Sequence, residues 1–193
     1  MEKGNKKKRE IQNALKTLAI KKGYANVTMK DIGEYVGLSV GGLYHHYHSV
    51  DEVFSDLIAS ETGDVWAVFE DIHSYDDLIK AMDVYFEAEK KELLGEVESV
   101  NTLMYQYYFS HPEEERIVIM KEAHDTVVKC MTDILGKVFK DKKQCHVIAE
   151  HMCIVMHGLV DLSFSGSITG SIIDNEFAML KRYFKDIYDK TEE

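Results

Sequence analysis

Residues 28–54, TMKDIGEYVGLSVGGLYHHYHSVDEVF, constrain the fold of this chain more than any other stretch. Thr28 and Asp31 stand at capping-box spacing, so the hydroxyl satisfies a free amide at a helix start. Ile32, Tyr35 and Val36 then recur at helical spacing. Gly37 follows, a residue that enters the left-handed region at little cost and so ends helices. Leu38 is placed to plug the angle before a second helix capped by Ser39, whose inward residues are expected to be Val40, Leu43, Tyr44 and Tyr47. Ser49 and Glu52 have capping-box spacing again, opening a longer helix with Val53, Phe54, Leu57 and Ile58 as its apolar stripe.

Helix, glycine-containing turn and helix is the layout of a helix-turn-helix, whose second helix fits a DNA major groove. The strings Asp31-Ile32-Gly33, Val36-Gly37-Leu38-Ser39, Gly41-Gly42-Leu43-Tyr44, Tyr47-His48-Ser49 and Asp51-Glu52-Val53 resemble the signature of the tetracycline-repressor (TetR) family of bacterial transcription regulators. The resemblance covers roughly residues 10–58; beyond that, only length and helical character agree. It implies an all-α protein with a helix-turn-helix domain over 1–50 and a helical ligand-binding and dimerisation domain over 51–193. It also implies a four-helix interface between two copies and a ligand pocket in the second domain. Candidate DNA contacts are Lys7, Thr28, Lys30, Ser39, Val40, Gly41, Gly42, Tyr44, His45 and His48. Two departures stand out. Val50 occupies a position where the family usually has a phosphate-contacting lysine, and Val40 and Gly42 stand where polar residues are common.

A net charge of −11 looks wrong for a DNA binder, but its distribution removes the conflict. Residues 1–50 hold nine lysines and arginines against four acids, a net of +5, which leaves −16 for the remainder. A basic head on an acidic body orients the molecule toward phosphates. The run from Lys3 to Arg9 is expected to form a partly disordered tail in the absence of DNA.

The remaining chain reads as helices, consistent with a single proline in 193 residues. Helix boundaries are expected near 7–22, 51–71, 75–94, 96–109, 113–139, 144–164 and 175–188, with Ile11, Ala14, Leu15, Leu18 and Ala19 as the apolar stripe of the 7–22 helix and Leu78, Met82, Tyr85, Phe86 and Glu89 down one side of the 75–94 helix. No apolar run reaches the ~18 residues that span a membrane, and no signal-peptide core follows the basic start, so a cytoplasmic location is expected. The helix around Ile148, Met152, Val155, Met156, Leu159 and Val160 is apolar on more than one face. That calls for cover from several sides: a homodimer through the last two helices, or the centre of a monomeric bundle.

Trp66, Phe69, Tyr85, Leu103, Met104, Tyr107, Met120, His124, Met156 and His157 are candidate lining for a small hydrophobic or aromatic effector; each on its own also suits plain core. His146, Glu150, His151, Cys153 and His157 invite a metal reading, but His157 lies off the i, i+4 face and no second cluster supports it. No metal or other cofactor is expected, and Cys130, Cys145 and Cys153 read as free thiols. Phosphate-loop, serine-elbow and paired zinc motifs are missing, so an enzyme is not expected. Two functions remain. The first is a ligand-responsive regulator, a repressor by resemblance, binding a palindromic operator as a dimer. The second is a ligand- or partner-sensing module whose head has weak or lost DNA binding, a reading that Val50 sustains.

Overall fold

The computed structural model describes residues 2–192, with side chains described from Asn5 to Lys190 except those of Thr62 and Asp64. Glu2 and Lys3, counted in the charge of the head, lie outside the described side chains. The regular structure among the described residues is entirely helical, with no strand. The helices are α1 (Glu2–Lys22), α2 (Met29–Val36), α3 (Val40–Tyr44), α4 (Val50–Ala67), α5 (Tyr75–Leu93), α6 (Val100–Phe109), α7 (Glu113–Leu135), α8 (Lys142–Phe164) and α9 (Gly170–Glu192), with a single 3-10 turn at Tyr24–Asn26. The lysine run expected to be a loose tail instead continues α1 back to Glu2. The last helix is longer than expected at both ends, and α6 begins four residues later.

The chain forms two compact units, one of Met1–Val65 with Val100–Arg116 and one of Trp66–Ser99 with Ile117–Glu193. This packing differs from a division at residue 50, because α4 as far as Val65 and the whole of α6 belong with the head. The head core joins Ile11, Ala14, Leu15 and Ala19 of α1 to Ile32, Leu43, Tyr47, Val53, Phe54 and Leu57. The stripe read from α1 is thus the stripe that is buried. Leu103 of α6 is fully buried in the same core, with Met104 and Tyr107 packed against it. Tyr107 stacks on Phe54 at 4.0 Å between ring centroids, and Tyr24 meets both rings edge-on. The Gln106 side chain accepts from the Tyr24 backbone N–H at 3.0 Å, while the Tyr24 hydroxyl donates to Asp51 at 2.6 Å. Burial, followed by the Asp51 carboxylate, pushes the Tyr24 phenol far above its usual range.

In the body, Ser74 caps α5 by accepting from the Asp77 N–H at 3.1 Å. The inward face of α5, with Leu78, Met82 and Phe86, packs on α9, where Phe86 stacks on Phe177 at 3.9 Å. Lys90–Asp174 (2.6 Å) and Lys181–Asp83 (2.7 Å) tie the same two helices at the surface. Helix α8 buries Cys145, Ile148, Ala149, Met152, Cys153, Leu159 and Val160. By length and composition alone α8 is apolar enough to cross a membrane, which corrects the expectation that no segment reaches that length. Its buried face is what a core helix of a globular protein also shows.

Candidate nucleic-acid interface

The helix-turn-helix is held by the local bonds that its sequence encodes. The Thr28 hydroxyl accepts from the Asp31 N–H at 3.2 Å, and the Asp31 carboxylate accepts from the Thr28 N–H at 2.7 Å. Lys22 adds an ion pair to Asp31 at 2.7 Å, and these partners, Lys22 first, hold the carboxyl well below its usual range. Gly37 ends α2 in the left-handed region, at φ 67° and ψ 31°. The Leu38 N–H then returns to the Gly33 carbonyl at 2.8 Å. Ser39 caps α3 by accepting from Gly42 N–H at 3.1 Å. Ser49 caps α4 through the Glu52 N–H at 3.0 Å, and the Glu52 carboxylate reaches back to the His48 N–H, one residue further than a regular capping box.

Helix α3 buries Leu43 alone among its five residues. Val40 and Tyr44, expected to face inward, are each 44% exposed, and Tyr35 of α2 is exposed as well. The reason is length: one and a half turns present a single inward position, and Tyr47, just beyond the helix, fills the next one at 1% exposure. Of the candidate DNA contacts, all but the half-buried Lys7 and Gly42 are exposed, among them Val40, Gly41, Tyr44, His45 and His48. Gly42 and Ser39 lie at the cap, and Thr28 is engaged in its capping box. Lys7 pairs with Glu10 at 2.6 Å and Lys30 with Glu34 at 3.8 Å. Val50, in the place of the family's lysine, packs against the head core.

Beneath this surface lies a polar network that sequence reading did not find. Asp56 of α4 accepts from the Tyr47 hydroxyl at 2.5 Å, from Gln12 Nε2 at 3.1 Å and from Lys8 Nζ at 3.3 Å. Gln12, 6% exposed, also donates to the Tyr47 oxygen at 3.2 Å, and Lys8 Nζ stands 4.9 Å above the Tyr47 ring. The Tyr47 hydroxyl, foremost among these partners, holds the Asp56 carboxyl below its usual value. The network ties α1, α4 and the end of the recognition element together. Tyr47→Phe keeps the ring but leaves Gln12 and Asp56 short of a partner. It should cost the head about 1–2 kcal/mol in urea unfolding, whereas an unchanged midpoint would deny the hydroxyl any structural role.

The effector candidates fall into separate groups. Leu103, Met104 and Tyr107 belong to the head core. In the body, Phe69 is buried between Trp66 and Tyr85, with ring centroids 6.1 and 5.9 Å away. His124 and His157 lie 6.2 Å apart, with Met120 and Met156 half-buried on the same two helices, α7 and α8. His124 Nε2 lies 3.2 Å from Glu150 and His146 Nε2 3.7 Å from the same carboxylate. Partial burial, and then the neighbouring His124, lowers the pKa of His157. Among the described residues no group of three His, Cys, Asp or Glu side chains is arranged to hold a metal ion. The body also holds Glu89, one turn beyond Tyr85, whose carboxyl is pushed up to about 7 by burial and then by Glu92. It lies on the expected α5 stripe, although nothing in its neighbours along the chain marks an acid as able to keep its proton.

A capped helix-turn-helix in an all-α chain, with an exposed recognition surface and a separate helical body, defines a DNA-binding protein of the helix-turn-helix class. Residues 11–57 match the family described as bacterial regulatory proteins, tetR family. Over those residues the head is similar to the helix-turn-helix domain of the TetR family. The chain is 24% identical over 134 residues to the HTH-type transcriptional regulator YfiR of Bacillus subtilis (strain 168); the match takes in 69% of this chain and spans 65% of that relative's length. Among solved structures, a TetR-family protein from Syntrophomonas wolfei superposes with a TM-score of 0.67 at 16% identity, covering 95% of each chain. NalD, the secondary repressor of the MexAB-OprM multidrug efflux pump in Pseudomonas aeruginosa, does so with a TM-score of 0.60 at 13% identity, over 92% of this chain and 93% of its own.

Proposed function

We propose that the chain is a cytoplasmic transcriptional repressor that binds a near-palindromic operator as a homodimer and releases it when a small molecule occupies the body. The observation that carries this reading is the exposed surface of Val40, Gly41, Tyr44, His45 and His48 on a fully capped helix-turn-helix. Two such surfaces related by a two-fold axis read two half-sites one helical turn apart, which one head cannot do. The second copy would cover the outward face of α8, where Val147 and Ile154 are 54% and 66% exposed, together with Met179 of α9. The effector would bind along the Trp66–Phe69–Tyr85 wall or beside His124 and His157, favouring a head spacing unsuited to DNA. Trp66 is the single tryptophan of the chain and so reports occupancy of that wall by fluorescence.

Binding of the protein to fragments of its own upstream DNA at two salt concentrations tests this reading. Tight binding to one palindromic fragment is expected, falling on the order of a hundredfold or more between 50 and 200 mM salt. A folded dimer that binds every fragment equally weakly would favour the second reading, a sensing module with a reduced DNA role. Val50 is the observation behind that alternative, since it turns into the core where the family usually offers a cation to phosphate.

A further inference from the structure

We infer that the polar groove between the first half of α1 and α4 is a phosphate-binding site of the head, filled either by a DNA backbone phosphate or by a soluble phosphate-bearing small molecule. The groove encloses about 660 Å³ and is lined by Asn5, Lys6, Lys8, Arg9, Asn13 and Ser60. It lies outside the helix-turn-helix strings and carries none of the contacts expected from them. Its chemistry follows from which charges are already engaged. The two carboxylates on its wall are Glu10, paired with Lys7 at 2.6 Å, and Asp56, which accepts from Tyr47, Gln12 and Lys8. Lys8 is itself fixed by Asp56 and by the Tyr47 ring. Lys6 and Arg9 are exposed and, among the described residues, have no carboxylate within ion-pair distance.

Lys8 on the wall offsets Asp56, and Lys7 outside it offsets Glu10, so Lys6 and Arg9 leave two uncompensated positive charges at the groove. A dianionic phosphate matches that excess. A guanidinium forks onto two of its oxygens, a lysine supplies a point charge, and Asn5, Asn13 and Ser60 offer neutral donors to the rest. Position favours the same ligand: the groove adjoins Tyr47, which follows the recognition helix directly. The source of the phosphate separates the two cases. The DNA source rests on the proposed regulator function; the soluble source does not.

The test compares wild-type protein with Lys6→Gln/Arg9→Gln and with a control of equal charge in the body, Lys129→Gln/Lys140→Gln. All four positions are exposed, so folding should be unaffected, and thermal melts check this. Duplex DNA affinity is measured across a salt series. Inorganic pyrophosphate is titrated calorimetrically, with ionic strength held by sodium chloride. A DNA-filled groove predicts a loss of about tenfold or more in duplex affinity, with the log–log salt slope smaller by about two in the groove variant alone. A groove for a soluble phosphate predicts pyrophosphate binding that the groove variant loses and the control keeps. Equal behaviour of the two variants in both titrations overturns the inference. Failure of wild-type protein to bind any duplex would instead count against the regulator reading, with the pyrophosphate titration still deciding the groove.

Discussion

Gly33→Val is expected to cost the head about 3 kcal/mol and to abolish DNA binding. A Cβ built at Gly33 would stand 3.0 Å from the Leu38 carbonyl oxygen and 3.8 Å from Leu43 Cδ2. The first neighbour is backbone and cannot rotate away, and two further methyls would meet the fully buried Leu43. The clash falls on the turn itself, where the Leu38 N–H returns to the Gly33 carbonyl, so α2 and α3 must separate. Gly41→Ala is the matched comparison. Nothing lies within 4 Å of a Cβ there and the residue is helical, so alanine should stabilise α3 by about 0.5–1 kcal/mol. If Gly41 lets the helix approach DNA closely, that gain in stability comes with weaker operator binding. Urea unfolding and gel shifts on both variants check the pair. A Gly33→Val protein as stable as wild type would remove the case for close packing at the turn.

Glu89→Gln should stabilise the protein at pH 8 by about 2 kcal/mol and change little at pH 5. Burial, and then the Glu92 charge, raises the Glu89 carboxyl from an ordinary 4.5 to about 7, while the Tyr85 hydroxyl pulls the other way. The folded state therefore keeps this proton over the window from about 4.5 to 7, where the unfolded state has lost it. Because the folded state binds more protons there, stability falls as pH rises through the window, and above it the penalty is complete. The full shift converts to about 3 kcal/mol at 1.36 kcal/mol per unit, reduced here because the side chain is only half-buried. Glutamine is close in shape to the protonated acid, which is why the two proteins should agree at pH 5. Urea midpoints at both pH values decide the matter. An equal change at pH 5 and pH 8 would mean that packing, not charge, sets the effect.

Much of the head was legible in the chain because its signals are local. The Thr28–Asp31 box, the Gly37 turn and the Ser39 and Ser49 caps each join residues within five positions, and the structure realises them at hydrogen-bond distance. Periodicity also identified the buried faces of long helices, where several turns average out exceptions; Ile11, Ala14, Leu15 and Ala19 are all fully buried. The same logic failed on α3, where five residues are too few for a period and Val40 and Tyr44 turned outward. It also grouped Leu103, Met104 and Tyr107 with the body's effector residues, because their spacing within α6 does not say which core they enter.

What the sequence determined by itself is the all-α class, the helix-turn-helix with its likeness to the TetR family, and the uneven charge of the chain, basic over residues 1–50 and acidic beyond. Each of these rests on interactions between neighbours or on composition. Tertiary structure decided the rest: that Asp56 joins Gln12 and Tyr47 across 44 and 9 positions, that α6 packs with the head, and that Val50 lies against its core. Tertiary packing also decided that Glu89 is shielded enough to hold its proton. The physical reason is that a side chain's desolvation and its distant partners are set by which helix faces meet, and no periodicity along one helix records the face of another.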